Sequence, residues 1–237
     1  MEKSSTNTFI AENLRRLREE IAEAALRCGR SPSDVALMAV TKNQPSALVN
    51  EAIAAGVRLL GENRAQELME KYHEYDKAAS PEIHFIGHLQ TNKVKYIIDK
   101  VCLVHSVDSL KLAAEISKAA KKADKTMDIL LEINVADEAS KYGVSLENSR
   151  ELAGEIALLD GISLRGLMCV APFVENTEEN RHFFRKMYKK FLDIREFLGH
   201  NANMTCLSMG MTHDFETAIE EGSNMVRLGT GIFGERI

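Results

Sequence analysis

Residues 36–42 read ALMAVTK, six small or apolar side chains that close on a lysine. An apolar run of this length without polar alternation reads as a strand buried on both faces, as in parallel sheets. Its last residue, Lys42, is either a surface lysine whose stem snorkels to water or an amine held at the mouth of a site. The segment that follows, SALVNEAIAAG over 46–56, has helical apolar spacing. Pro45 fits an early helix residue and Gly56 a C-terminal stop.

That strand-then-helix beat repeats along the chain. Further strands are expected in RLLGEN (58–63), IHFIG (83–87), LVHSV (103–107), DILLEIN (128–134), LRGLMCV (164–170), CLSMGM (206–211) and MVRLGTGIFG (225–234). Helices are expected between them, over 64–78, 91–100, 109–123, 146–159, 177–198 and 214–222. Asn63 with Gln66, and Asn176 with Glu179, have the spacing of capping boxes, and Gly222 fits a second C-terminal stop. An amphipathic helix precedes the first strand, with Phe9, Ile10, Leu14, Leu17 and Ile21 on one face. Eight strands alternating with helices in units of about 25 residues match a (β/α)8 barrel better than an open doubly wound sheet. The expected fold is therefore α/β, a single TIM-barrel domain over residues 1–237 with an extra N-terminal helix.

The composition agrees with such a protein. The 237 residues are 45% hydrophobic and 27% charged, and 30 basic against 35 acidic side chains leave a net charge of −5. A chain of this balance is not expected to bind nucleic acid or a membrane surface. Cys28, Cys102, Cys169 and Cys206 form no CxxC pair, and they read as core thiols of a reducing compartment. No apolar run reaches the about 18 residues needed to cross a bilayer, and the first twenty residues have no apolar signal-peptide core. A cytoplasmic location is expected.

Barrel enzymes carry function at the C-terminal ends of their strands. Here those ends hold Lys42, Asn63, Gly87 with His88, Ser106, Asn134, Val170, the 208–211 turn and residues 227–230. Glycines in SMGMTHD and RLGTGIFG let backbone N–H groups approach an anion, and Ser208, Thr212 and Thr230 add hydroxyls. These two turns, after the seventh and eighth strands, suit a phosphate. Arg227 sits in an apolar strand and must meet an anion, a carboxylate or a ring nitrogen there. Asn63 either caps a helix or also faces a ligand. His84 and His88 are four apart on a strand and its loop, which does not bring them together, so no metal site is expected.

With these residues in place, the sequence resembles the pyridoxal phosphate (PLP) homeostasis proteins, the YggS-like family. The matching stretches are AVTK, GENRAQE, HFIGHLQTNK, NVADEASKYG, LRGLMCV, LSMGMTHDFETAI and GSNMVRLGTGIFG, in order over nearly the whole chain. The resemblance implies a barrel similar to the N-terminal domain of alanine racemase, with PLP held as a Schiff base on Lys42. It also implies Ser208, Gly229 and Thr230 as phosphate ligands, Arg227 near the pyridine nitrogen and Asn63 beside the ring. His88, Thr212 and His213 depart from residues common in the family. Alanine racemase adds a second domain that supplies a tyrosine, and of the five tyrosines here only Tyr142 is placed to reach the rim. The expected role is storage, buffering or delivery of PLP to PLP-dependent apo-enzymes by a monomer, with Lys141 a second amine for passing the cofactor on. A racemase-like enzyme of weak activity and a cofactor-free Schiff-base aldolase are the alternatives.

Overall fold

The computed structural model describes residues 3–138 and 141–234. Its strands are β1 (Ala36–Val40), β2 (Leu59–Glu62), β3 (Glu82–Phe85), β4 (Leu103–Val107), β5 (Met127–Asn134), β6 (Val144–Ser145), β7 (Ile162–Cys169), β8 (Cys206–Met211) and β9 (Met225–Leu228). The helices are α1 (Lys3–Arg27), α2 (Ser46–Ala54), α3 (Ala65–Lys71), α4 (Val94–Ile97), α5 (Leu110–Lys122), α6 (Ser149–Ala157), α7 (Arg181–Leu198), α8 (Phe215–Glu220) and α9 (Thr230–Phe233). Every strand pairing is parallel. Because β1 pairs with both β2 and β9, and β4 pairs with both β3 and β5, eight strands close into a ring. The two-residue β6 adds only to the end of β5, opposite Ile133 and Asn134. The barrel read from the sequence is therefore the fold.

Strand side chains alternate between two layers, as the pleat requires. Ala39, Leu60, Phe85, Val104, Leu131, Leu207 and Leu228 join the apolar stripes of the helices, such as Ile53, Leu68, Ile116 and Phe184, in one continuous core. At about 1.5–3 kcal/mol for each large side chain removed from water, this outer layer carries most of the hydrophobic stabilisation. Among the described residues a second, small apolar cluster stands apart from this core, Leu103, Leu130 and Met168 with Cys206 against it. His84, His105, Ser208 and Arg227 are buried polar groups of the same barrel's strands.

Four local readings differ from the structure. The eighth barrel strand stops at Leu228, and Thr230–Phe233 is a helical turn entered from Gly229. The helix after β2 ends at Lys71 rather than near residue 78, with Tyr75 buried beyond it. Its cap is Arg64 without a side-chain bond, so Asn63 and Gln66 form no capping box. Cys102 is exposed rather than a core thiol, while Cys169 is buried. The Asn176 side chain does cap, accepting from the Glu178 N–H at 3.2 Å. Gly56 and Gly222 adopt φ of 91° and 101°, the left-handed stop expected of them.

The N-terminal helix has a positional role. It packs on α2, α8 and α9, and Asn13 Nδ2 donates to the Ile232 carbonyl at 3.0 Å. A four-residue helix such as α9 has little stability of its own, so α1 fixes the turn that follows β9. No described helix is long and apolar enough to cross a membrane.

Candidate functional site

Lys42 lies half-buried at the C-terminal end of β1, and the residues on both sides of it are pinned. Before it, Thr41 is fully buried; its N–H donates to the Gly61 carbonyl at 3.0 Å and its hydroxyl to Glu62 Oε1 at 2.6 Å. The same carboxylate oxygen accepts from the Tyr75 hydroxyl at 2.5 Å and lies 3.1 Å from Lys71 Nζ. After it, Asn43 takes φ 58°, and its N–H donates to Glu67 Oε1 at 2.5 Å. Lys71 joins the two halves by donating to the Thr41 carbonyl, the Gln44 carbonyl and Glu67. Glu62 is fully buried; a cation and two hydroxyls compensate its Oε1, while Oε2 has no hydrogen-bond partner among the described residues. Burial and Glu62 together push the Tyr75 phenol far above its ordinary pKa, so it remains a donor.

Gly229 lies beside this pedestal because β9 pairs with β1. An added Cβ on Gly229 would stand 3.7 Å from the Val40 carbonyl oxygen, two residues from Lys42. The N–H groups of Gly229 and Gly231 both donate to Thr212 Oγ1, each at 3.3 Å. A Cβ at Gly231 would meet Thr212 Cγ2 at 2.9 Å, so glycine is what allows this close approach. The turn bearing Thr212 is itself held: Asp214 Oδ1 accepts from the Met211 N–H at 2.8 Å, and Oδ2 from Asn180 Nδ2 at 3.0 Å.

Ser208 lies on β8, where it is bonded to residues of β9 and β4. Its hydroxyl is fully buried, accepts from Arg227 Nη1 at 2.8 Å and meets His105 Nδ1 at 3.2 Å. Arg227 needs no carboxylate partner: Nη1 also donates to the Ser208 carbonyl and Nη2 to the Cys169 carbonyl, both at 2.8 Å. Burial lowers its pKa, and carbonyl oxygens compensate the guanidinium. Below Ser208 the chain continues, with His105 Nε2 3.0 Å from His84 Nδ1. Burial lowers the His84 pKa to about 4 and that of His105 well below its usual value, so both imidazoles are neutral. Asn63 Oδ1 is buried with no hydrogen-bond partner among the described residues. Gly87, on the next strand's loop, packs so tightly there that a Cβ would fall 2.1 Å from the Asn63 carbonyl oxygen.

Across the mouth, a pocket of about 210 Å³ is lined by Glu132, Asn134, Lys141, Tyr142 and Val170. Glu132 is only 9% exposed, and its Oε2 has no hydrogen-bond partner among the described residues. Burial, with a further push from Asp108, raises its pKa to about 7. Lys141 is paired with Glu138 at 2.7 Å; Ala139 and Ser140 of the same loop lie outside the described residues. The Tyr142 ring stacks on His88 at 3.7 Å and 12°, joining the loops after β3 and β5 over the rim. His213 turns outward, Nε2 to the Val174 carbonyl at 2.7 Å.

The structure thus puts Lys42 just after β1, and Arg227 in, and Gly229 and Thr230 just after, the adjacent β9, with Asn63 at the end of β2, the strand on the other side of β1. Sequence reasoning missed the Glu62–Lys71–Tyr75 brace, the His84–His105 pair and Glu132. Asn63 reads as a rim residue at the end of RLLGEN, but that reading gives Glu62 beside it no role. An acidic side chain inside DILLEIN was the available signal for Glu132.

Comparison with known proteins gives a consistent set of relatives. The family model described as the alanine racemase N-terminal domain matches residues 10–237. The pyridoxal phosphate homeostasis protein of Aquifex aeolicus is 44% identical over 227 residues, 95% of this chain and 97% of that protein. The structure of PipY from Synechococcus elongatus with PLP bound superposes with a TM-score of 0.79 at 32% identity, covering 95% of this chain and all of that one. An alanine racemase from Corynebacterium glutamicum shares the fold, with a TM-score of 0.71 at 15% identity, and this chain covers 61% of it.

Proposed function

We propose that this chain, which belongs to the pyridoxal phosphate homeostasis proteins built on the alanine racemase N-terminal domain, binds PLP at the C-terminal mouth of its barrel and serves to hold and release it. The observation that carries the reading is the adjacency of Lys42 to the Gly229–Gly231 turn across the β1–β9 pairing. PLP needs an amine for its aldehyde, N–H and hydroxyl donors for its phosphate and a partner for its pyridine nitrogen. Lys42 supplies the first. The N–H groups of Gly229 and Gly231, which share only one hydroxyl at 3.3 Å, supply the second together with Thr212 and Thr230. Arg227 supplies the third, and the unpartnered Asn63 Oδ1 is left for the ring side. In this arrangement Ser208 acts by holding Arg227, and Thr212 takes the phosphate role that the resemblance gives to Ser208.

Bound there, PLP supplies an aldehyde carbon that amines capture reversibly, and a ring that withdraws electrons strongly only when its nitrogen is protonated. Arg227 is held by carbonyls and a serine and stays a cation, so it offers a hydrogen bond without transferring its proton. That favours storage over carbanion chemistry. The brace around Thr41 and Asn43 fixes the Lys42 backbone and thereby aims its amine. A carrier in this sense keeps free aldehyde low and delivers the cofactor to apo-enzymes in the cytoplasm.

The test is to load the protein with PLP, remove free cofactor and add an apo-enzyme that needs PLP. Recovery of the acceptor's activity, with no exchange of the α-proton of alanine in deuterated water by the loaded protein alone, is the expected result. Steady α-proton exchange at Lys42-dependent rates would instead establish the racemase reading.

A further inference from the structure

The opposite end of the barrel carries a second constellation. Glu82 opens β3, His84 lies two residues on, and Cys102 immediately precedes β4; β3–β4 pairing sets His84 opposite Leu103. One ligand atom from each of Glu82, His84 and Cys102 lies within 4.8 Å of the others, and His84 Nε2 is 3.7 Å from Glu82 Oε2. Glu82 and Cys102 are exposed while His84 is buried. A buried, fixed ligand is thus flanked by two adjustable ones on a face open to solvent.

The geometry points to a site for a zinc-class divalent ion at Glu82, His84 and Cys102, on the N-terminal face and distinct from the proposed PLP mouth. Thiolate, imidazole and carboxylate together are the ligand types of zinc, and three protein ligands leave a fourth position to water. Tetrahedral coordination needs ligand atoms roughly 3.3–3.6 Å apart. Rotations of the two exposed side chains cover that difference, with Cys102 Sγ leaving its 3.4 Å contact to the Ile83 carbonyl. Metal-bound histidines have their second nitrogen hydrogen-bonded, which fixes the ring. Here His84 Nδ1 meets His105 Nε2 at 3.0 Å, so that outer-shell partner is already in place. Burial and then the Glu82 carboxylate raise the Cys102 thiol to about 11, with Asp128 adding to the rise and Lys125 opposing it, so a bound ion has to displace the thiol proton; Lys125 Nζ itself donates to the Ile98 and Val101 carbonyls. An ion on Nε2 leaves the proton of His84 on Nδ1, where it donates to His105. The site therefore sets the donor direction of the His84–His105–Ser208 chain that ends on Arg227. The spacing of the histidines along the sequence gave no hint of this set, because strand pairing alone brings Cys102 to His84.

Cobalt(II) titrated into the cofactor-free full chain is the probe. The expected result is a thiolate-to-cobalt charge-transfer band that saturates at one ion per chain and is reversed by one equivalent of zinc. Cys102→Ser abolishes the band, and Glu82→Gln weakens cobalt binding at least tenfold. Both side chains are exposed, so these variants keep the wild-type melting temperature even where His84→Asn does not fold. Absence of the band, its persistence in Cys102→Ser, or unchanged affinity in Glu82→Gln would overturn the assignment.

Discussion

The two sides of the barrel mouth are built on different terms. On the β1 side, Lys42 stands between residues that are bonded to Glu62, Glu67 and Lys71, through the Thr41 hydroxyl, the Asn43 N–H and the Thr41 carbonyl. Glu62 Oε2 and Glu132 Oε2 both lack a hydrogen-bond partner among the described residues; what sets the β5 side apart is that its loop is closed by a ring stack. The first side fixes the backbone on both sides of Lys42. The second has a cover whose contact is worth only about 0.5–1.5 kcal/mol beyond its buried area. A protein that retains a cofactor and later gives it up needs both, with rigidity at the bond and a low barrier at the exit.

The largest expected effect comes from breaking the braced side. Glu62→Ala strands Lys71 and removes the acceptor of Thr41 and Tyr75, at a cost of about 3–5 kcal/mol in stability. Denaturant melts measure that loss, and PLP binding by the folded fraction should weaken at least tenfold because Lys42 is no longer aimed. Equal PLP affinity in a folded Glu62 variant would show that the brace serves stability alone.

The pH dependence separates the lumen from the open side. His84 is neutral when folded, its pKa lowered from 6.5 to about 4. The unfolded chain then binds the extra proton, so stability from this group is full above pH 6.5 and is lost as pH falls toward 4. Glu132 has the opposite sense. Its pKa is raised from 4.5 to about 7, so the folded chain binds the extra proton and stability falls as pH rises from 4.5 through 7. Each shift corresponds to about 3 kcal/mol at most. In the cofactor-free, metal-free wild type the two slopes oppose one another between pH 4.5 and 6.5. Glu132→Gln should unmask the acid loss and raise stability at pH 8 relative to wild type, read by melts at fixed pH with a chelator present. A Glu132→Gln profile parallel to wild type at every pH would remove Glu132 from the account.

The smallest effect is expected at the cover. Tyr142→Ala removes the stack on His88 and should lower stability by about 0.5–1.5 kcal/mol, while speeding PLP loss from the loaded protein severalfold in stopped-flow capture. Unchanged release would mean that the β5 side is not the exit.

Much of the fold was legible in the sequence because a parallel barrel strand is apolar on its helix-facing side and bounded by turn residues. LVHSV and CLSMGM match β4 and β8 residue for residue. The end of β9 was misread because GTGIF is as apolar as the strand before it, and only packing under α1 makes it a helical turn. Lys42 and the glycine turns could be found since each is local in sequence. The groups that support them could not be. Ser208 reaches His105 across 103 residues and Arg227 across 19, and Glu62 is compensated by residues from the helix and turn that follow. Such partners are chosen by strand order and strand pairing, which no spacing along the chain reveals.

The most direct measurement is borohydride reduction of the PLP-loaded protein followed by peptide mapping. The account predicts a visible absorption band that reduction abolishes, with the pyridoxyl group on the peptide carrying Lys42, and neither band nor label in Lys42→Ala. A label on Lys141 or another lysine in the wild type, or an unchanged band in Lys42→Ala, would contradict it.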